Sequence, residues 1–177
     1  MQNFKESKSK EKSIALVNEK LKIKVIFRLI NVSGSEVYFK QDGQRFHENQ
    51  TLKLAIESQY KVNVEVKPPL ELTFLQFGGE EPEIKRVSKN DDDEKSVYQF
   101  EWSTLGMEAT ARTQRVEMPC FIRFKDYKEL NFKLQTKFYP TKEVKHITWG
   151  QKLHTITLEC TIANGNYPSY VDKKLYQ

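Results

Sequence analysis

The side chains that most often bind metals or act as nucleophiles are scarce in this 177-residue chain. The three histidines, His47, His146 and His154, are not spaced like the ligands of a zinc site. The two cysteines, Cys120 and Cys160, lie in alternating apolar stretches, which favours buried hydrophobic positions over redox chemistry. A glycine-rich phosphate loop and a G-x-S-x-G nucleophile elbow are also absent from the sequence. We therefore predict a protein that is not an enzyme and that needs no metal or cofactor.

One acidic run, from Asp91 to Glu94, has the composition of a calcium-binding segment. A twelve-residue calcium loop needs a central glycine and a terminal glutamate, and the sequence around this run has neither in place. We interpret residues 80–95, the most polar internal stretch, as a solvated hairpin loop.

Arg45 and Trp149 are the two single side chains best suited to hold a partner. Arg45 follows the Asp42-Gly43 pair, where its guanidinium either fixes a hairpin through a carboxylate or backbone carbonyls, or binds an acidic group on a partner. Trp149 precedes Gly150. A core tryptophan beside a turn glycine is the more common arrangement, but tryptophan is also enriched at binding hot spots. Both residues are candidates for partner binding.

Lysines on the outer faces of predicted strands extend this candidate surface. The chain has a net charge of +5 and a pI near 9.0, with its basic residues dispersed along the strands. Such faces are ordinarily solvated, but they also suit an acidic or phosphorylated peptide. No RNA-recognition or helix-turn-helix signature accompanies the charge, which argues against nucleic acid. The lysines that we include as candidates are Lys61, Lys67, Lys133 and Lys137.

Apolar and polar residues alternate along most of the chain, which is the pattern of strands with one buried face. The clearest case is 60–66, and similar patterns lie around 21–29, 37–39, 51–56, 70–74, 97–102, 116–124, 130–138 and 156–162. The Asp42-Gly43 pair predicts a tight type I′ turn, and Pro119 predicts a bulge or a sheet edge. The fold class predicted is all-β, an antiparallel β-sandwich or flattened barrel of about eight to ten strands.

Composition predicts one globular domain with polar ends. Hydrophobic residues make up 38% of the chain and charged residues 30%, as in soluble globular proteins. We expect a flexible lysine-rich leader at 1–20, a single β domain at 21–163 and a C-terminal tail at 164–177 that docks or folds only in part. The sequence contains neither an apolar run of 18 residues nor a signal peptide, so we expect a cytoplasmic protein.

Eight short motifs follow one another between Tyr38 and Cys160 in the order of a known family. They are Asp42-Gly43-Gln44-Arg45-Phe46, Thr51-Leu52-Lys53-Leu54, Tyr60-Lys61-Val62 running to Val66-Lys67-Pro68, Gly78-Gly79, Met118-Pro119, Lys137-Phe138-Tyr139, His146 with Trp149-Gly150, and Glu159-Cys160. In this order the chain resembles the cannabinoid receptor-interacting protein 1 family. The resemblance implies a β-rich adaptor, similar in fold to immunoglobulin-like sandwiches and Rho dissociation inhibitors. It also implies binding to the cytosolic tail of a membrane receptor of the G protein-coupled type, without a catalytic constellation.

Two other functions are compatible with a sandwich of this kind. One is a lipid-binding chaperone of prenylated or acylated small GTPases, which requires an apolar cavity between the sheets rather than a filled core. The other is a subunit of a ciliary or trafficking assembly, with a leader and tail that become ordered on a partner. Fold analogy alone does not select between them.

Overall fold

The computed structural model describes residues 18–88 and 94–177. Most of the predicted leader and the aspartates Asp91 to Asp93 of the acidic run lie outside the described residues. Within them, twelve strands and one short helix follow in order: β1 (Lys20–Asn31), β2 (Tyr38–Gln41), β3 (Gln50–Ala55), β4 (Gln59–Lys67), β5 (Leu72–Phe77), β6 (Lys85–Arg86), β7 (Ser96–Ser103), β8 (Val116–Phe124), β9 (Leu130–Tyr139), α1 (Val144–Ile147), β10 (Gln151–Lys152), β11 (Ile156–Ala163) and β12 (Tyr170–Tyr176).

The strands form two six-stranded sheets that face each other as a sandwich, which confirms the predicted fold class. The first sheet has the order β12-β11-β1-β4-β7-β6, and the second has the order β10-β2-β3-β9-β8-β5. Neighbouring strands are antiparallel, except that β3 and β9 run parallel in the second sheet. This parallel pair is a feature that the alternation of residues did not predict.

Strand β4 shows how the sequence pattern becomes a buried face. Tyr60, Val62, Val64 and Val66 have at most 2% of their surface exposed, whereas the residues between them are half-buried. Each such apolar side chain stabilises the fold by about 1.5–3 kcal/mol relative to an exposed position. The strand predicted at 60–66 is therefore confirmed, with one residue more at each end.

Aromatic rings fill the space between the two sheets. Phe27, Phe77, Phe100 and Trp102 are each at most 2% exposed. The ring of Phe77 lies 5.0 Å from that of Trp102 and 5.5 Å from that of Phe100, both nearly edge-on, which is a favourable geometry for aromatic pairs. Phe27 and Phe132 continue the cluster with ring centroids 5.9 Å apart. The interior at this level is a filled core.

The tight turn predicted at Asp42-Gly43 is wrong. Strand β2 ends at Gln41, which is paired with Gln50 of β3, so eight residues connect the two strands. Gly43 has the positive φ of 63° that the Asp-Gly signal predicts. Asp42, however, is buried, and its amide donates to the carbonyl of Asn49 at 2.7 Å. The connection is a longer loop because the Asp42 side chain is drawn inward by partners described below.

Pro119 lies neither in a bulge nor on an edge strand. Strand β8 keeps a regular register with β9 through Pro119, which is opposite Lys133, and β8 lies between β9 and the edge strand β5. Strand β5 ends at Phe77, opposite Cys120, so Pro119 lies just beyond the point where β5 covers β8. A proline is tolerated there because its missing N–H is not needed by a neighbouring strand. The register irregularity lies instead between Leu72 and Phe74 of β5.

The C-terminal segment is part of the sandwich. Strand β12 pairs with β11 along the edge of the first sheet, and Tyr176 is buried against the ring of Phe39, with ring centroids 5.4 Å apart. Residues 170–176 therefore belong to the first sheet.

Candidate functional site

Basic side chains from three neighbouring strands and one loop surround a cleft on the outer face of the second sheet, which we call the basic cleft. Lys40 lies on β2, Lys53 on β3 and Lys137 on β9, while Arg112 belongs to the connection between β7 and β8. The cleft has a volume of about 590 Å³, within the range of pockets that bind ligands. Its rim includes Tyr139, Glu143, His146 and Trp149.

The pairing of the strands places these lysines side by side. In the parallel pair, Lys53 is directly opposite Lys137, and on its other side Lys53 is opposite Tyr38. Lys40 is two residues beyond Tyr38 and so projects from the same face of the sheet. Like charges that face each other across neighbouring strands are destabilising. The sheet thus concentrates positive charge where stability alone would disfavour it.

Lys53 is the most buried of these cations. Only 2% of its surface is exposed, and its ammonium donates hydrogen bonds to the backbone carbonyl oxygens of His146 and Trp149. The Nζ atom lies 5.1 Å from the ring centroid of Tyr139 and 6.0 Å from that of Trp149, within the range of cation–π attraction. Lys53 therefore fastens the segment that contains α1 to the sheet.

The surroundings of Lys53 disfavour its charged form. Burial comes first, and the positive charges of Lys40, Lys137 and Arg115 add to it, so that the pKa of Lys53 falls from 10.5 to about 8. Asp42 acts in the opposite direction but does not cancel these effects. Burial and the same kind of repulsion also lower the pKa of Lys137.

Asp42 balances the cleft only in part, because its carboxylate lies 3.6 Å from Nζ of Lys40 but is engaged mainly by Arg115. The guanidinium donates from Nε to Oδ2 and from Nη2 to Oδ1 of Asp42, both at 3.1 Å, and the Thr51 hydroxyl also donates to this carboxylate. Burial alone raises the pKa of Asp42, but the hydrogen bonds from Arg115 and Thr51 outweigh it and hold the pKa below its usual value. The guanidinium carbon of Arg115 lies 4.2 Å from the ring centroid of Phe46, which covers the pair.

Two of the six candidate residues from the sequence lie at the basic cleft. Lys137 is half-buried in its wall, and Trp149 is 70% exposed on its rim, so Trp149 is not a core residue. Arg45 is exposed in the 42–49 loop, with its guanidinium 5.8 Å from the ring centroid of Phe46. One possible role predicted for Arg45 is a fork-like pair of hydrogen bonds to a carboxylate. Arg115 makes these bonds instead, to Asp42.

The other three candidate lysines lie apart from the cleft. Lys61 and Lys67 belong to β4 of the first sheet. Lys133 lies on β9, where its Nζ is 3.0 Å from a carboxylate oxygen of Glu117. The structure therefore does not bring the six candidates together into one surface.

The other basic residues of this site, Lys40, Lys53 and Arg112, were not predicted from the sequence. The alternation at 51–56 predicts that Lys53 faces solvent between Leu52 and Leu54, but five successive residues of β3 are buried. A signal was present, because Lys53 belongs to one of the motifs that carry the family resemblance. Arg112 and Arg115 lie in a connection with no periodicity, and nothing local marks the pairing of Arg115 with Asp42, which is 73 residues away.

The lipid-binding alternative requires an open cavity in the interior. The aromatic cluster of Phe27, Phe77, Phe100 and Trp102 fills the space between the sheets instead. The basic cleft lies on the outer face of the second sheet and not between the sheets. Over residues 18–88 and 94–177, the structure has no helix that is long and apolar enough to span a membrane.

Comparison with known proteins identifies relatives of this sandwich. The model of the family described as CB1 cannabinoid receptor-interacting protein 1 matches residues 17–176. The CB1 cannabinoid receptor-interacting proteins 1 of Bos taurus, Homo sapiens and Mus musculus are each 33% identical to this chain over 132 residues. These matches cover 74% of this chain and 80% of each relative. They confirm the family indicated by the eight motifs: the chain belongs to the CB1 cannabinoid receptor-interacting protein 1 family.

Proposed function

We propose that this chain is a non-enzymatic cytoplasmic adaptor that binds the cytosolic tail of a membrane receptor and alters the receptor's signalling or trafficking. Its relatives are named as proteins that interact with the CB1 cannabinoid receptor, which supports a receptor as the partner. The protein reaches the membrane through this partner. The partner class is a receptor of the G protein-coupled type, and the binding site is the basic cleft.

The observation that carries the proposal is the direct opposition of Lys53 and Lys137. Like charges that lie directly opposite each other destabilise a sheet, and the buried carboxylate of Asp42 is already bound by Arg115 and lies 3.6 Å from Nζ of Lys40. An acidic or phosphorylated segment of a tail relieves this repulsion when it binds, whereas a neutral or basic segment does not. The cleft therefore selects acidic tails.

Trp149 supplies the apolar part of the same site. Tryptophan and arginine are both enriched at binding hot spots, and Trp149 and Arg112 line the same cleft. Since Lys53 holds the backbone carbonyl of Trp149, the indole is presented from a fixed segment. Pre-organisation of this kind lowers the entropic cost of binding.

The test is capture of receptors by the tagged protein from cells of its own organism, with and without their cytosolic tails. We expect receptors to be captured through their tails and to be lost when both Lys40→Gln and Lys137→Gln are introduced. The matched control is Lys61→Gln together with Lys133→Gln, which removes the same charge outside the cleft. Capture that survives the cleft variant, or that does not depend on the tail, contradicts the proposal.

A further inference from the structure

The short helix α1 separates the basic cleft from a second cleft, which we call the apolar cleft. The apolar cleft has a volume of about 480 Å³. On the helix side it is lined by Val144, Ile147 and Thr148, and on the sheet side by residues that include Val32, Val37 and Tyr60. Lys53 lines both clefts, so α1 and Lys53 together form the wall between them.

The sequence of the α1 segment divides between the two clefts. Glu143, His146 and Trp149 follow one another at intervals of three and line the basic cleft. Val144 and Ile147 have the same spacing and line the apolar cleft. Residues three apart lie on one side of a helical turn, so the segment presents a polar and aromatic side to one cleft and an aliphatic side to the other.

The aliphatic side of α1 is exposed. No residue of α1 is buried; Val144 is 61% exposed, and Val32 on the opposite wall is 58% exposed. Neighbouring exposed apolar groups of this kind mark interaction sites more often than isolated ones do. Packing in the core does not explain an apolar residue at position 144, because the Val144 side chain is largely exposed.

The charges around the two clefts differ in sign. Among the described residues, the basic cleft is lined by Lys40, Lys53, Arg112 and Lys137 against the one carboxylate of Glu143, whereas the apolar cleft is lined by the carboxylates of Glu36 and Glu57 against the one cation, Lys53. Glu36 is paired with Lys152 at 2.5 Å. An acidic group on a ligand is therefore directed to the basic side of α1, and an apolar or basic neighbour is directed to the other side.

We propose that one receptor tail crosses α1, with an acidic group in the basic cleft and a large apolar side chain in the apolar cleft. This inference rests on the proposed function and specifies its partner as a tail that carries both groups a few residues apart. Occupancy of the two clefts by one chain makes the second contact intramolecular. Linked contacts of this kind gain affinity through effective concentration when the linker spans the sites.

The test uses capped synthetic peptides as probes. The acidic probe is acetyl-Asp-Asp-Glu-amide, and the apolar probe is acetyl-Leu-Leu-amide. The linked probes join the two by one to four glycines, in both chain directions, because α1 does not fix the direction of the tail. Binding is measured by calorimetry, with displacement of a labelled linked peptide for weak probes. We expect at least one linked probe to bind ten times more tightly than the acidic probe.

Variants assign each half of the linked probe to its cleft. Val144→Ser with Ile147→Ser should reduce the linked probe to the affinity of the acidic probe without unfolding the protein, since neither side chain is buried. Val87→Ser is the matched control, because Val87 is 55% exposed and is not among the residues that line either cleft. Circular dichroism checks the fold of each variant.

The outcomes separate this inference from the proposed function. Equal affinity of the linked and acidic probes, or a gain that persists in the Val144→Ser and Ile147→Ser variant, overturns the inference and leaves the basic cleft as a binding site. An acidic probe that binds no better to the native protein than to the variant carrying Lys40→Gln and Lys137→Gln overturns both.

Discussion

Lysines project from both sheets of the sandwich, but their neighbours differ. On the first sheet, Lys61 is opposite Glu101, and Lys24, which is opposite Lys67, has Glu159 on its other side. On the second sheet, the neighbours of Lys53 are Lys137 and Tyr38. On the first sheet, the like-charged pair of Lys24 and Lys67 is thus flanked by a glutamate next to Lys24, as on a solvated face of mixed charge. On the second sheet, neither strand neighbour of Lys53 is a carboxylate, and this is the arrangement expected of a site for an anion.

The largest expected effect on stability concerns the buried ion pair of Arg115 and Asp42. Arg115→Met should lower the free energy of unfolding by about 3 kcal/mol, because it leaves the buried carboxylate of Asp42 poorly compensated. Urea denaturation measures the change. The control is Lys133→Gln, which breaks an exposed ion pair with Glu117 and should leave stability essentially unchanged. If both substitutions lower the free energy of unfolding equally, the buried pair of Arg115 contributes no more to stability than the exposed pair of Lys133.

Charge reversal sharpens the comparison between the sheets. Lys137→Glu should weaken binding of acetyl-Asp-Asp-Glu-amide about tenfold or more, since charge reversal both removes an attraction and adds a repulsion. Lys61→Glu on the first sheet should change the affinity less than twofold. Calorimetry at low ionic strength is the measurement, and the difference between the two variants should shrink as salt is added. A similar loss in both variants would show that only net charge matters.

The pH dependence of stability should differ between the native protein and Lys53→Met. The folded chain releases the proton of Lys53 near pH 8 and the unfolded chain only near 10.5, so between these values the unfolded chain holds more protons. Stability from this group therefore rises with pH across that window, and the cost of the buried charge is fully present below pH 8. The difference in unfolding free energy between the two proteins, measured from pH 7.5 to 9.5, isolates Lys53. A constant difference contradicts the assignment.

The smallest effect on stability is expected at the rim of the cleft. Trp149→Ser should change the free energy of unfolding by less than about 0.5 kcal/mol, because the side chain is largely exposed. The same substitution should weaken binding of the acidic probe severalfold. Thermal unfolding and calorimetry on one preparation compare the two effects. A large loss of stability in this variant would show that Trp149 has a structural role.

The sequence predicted those elements whose pattern is local. The alternation of apolar and polar residues alone predicts β4, and it predicts β9 and β11 in the C-terminal half of the chain in the same way. Helix α1 has four residues, too few for an apolar period, and it is fastened by Lys53 from another part of the chain. The burial of Lys53 arises because two strands and the α1 segment converge on it, and a single strand pattern does not contain that information.

Long-range pairs are also the reason why half of the candidate site was not predicted. Arg45 and Arg115 both follow polar residues in loops, and only Arg45 stands near a turn signal. Which arginine reaches Asp42 depends on the path of the connection between β7 and β8. Lys137 was predicted as a lysine on the outer face of a strand and Trp149 as a tryptophan of the kind enriched at hot spots, and their proximity to Lys40 and Lys53 became visible only in the folded chain.

The parallel pairing of β3 with β9 bears on the order in which the protein folds. Gln135 of β9 donates to the hydroxyl of Thr51 in β3 across 84 residues of chain. Closing a loop of that length costs about 4 kcal/mol of chain entropy before its contacts form. Contacts between distant residues slow folding, so we expect β3 and β9 to join after the local hairpins of the first sheet. Since Lys53 and Lys137 become neighbours only at this step, a nascent chain that has not completed β9 lacks the basic cleft.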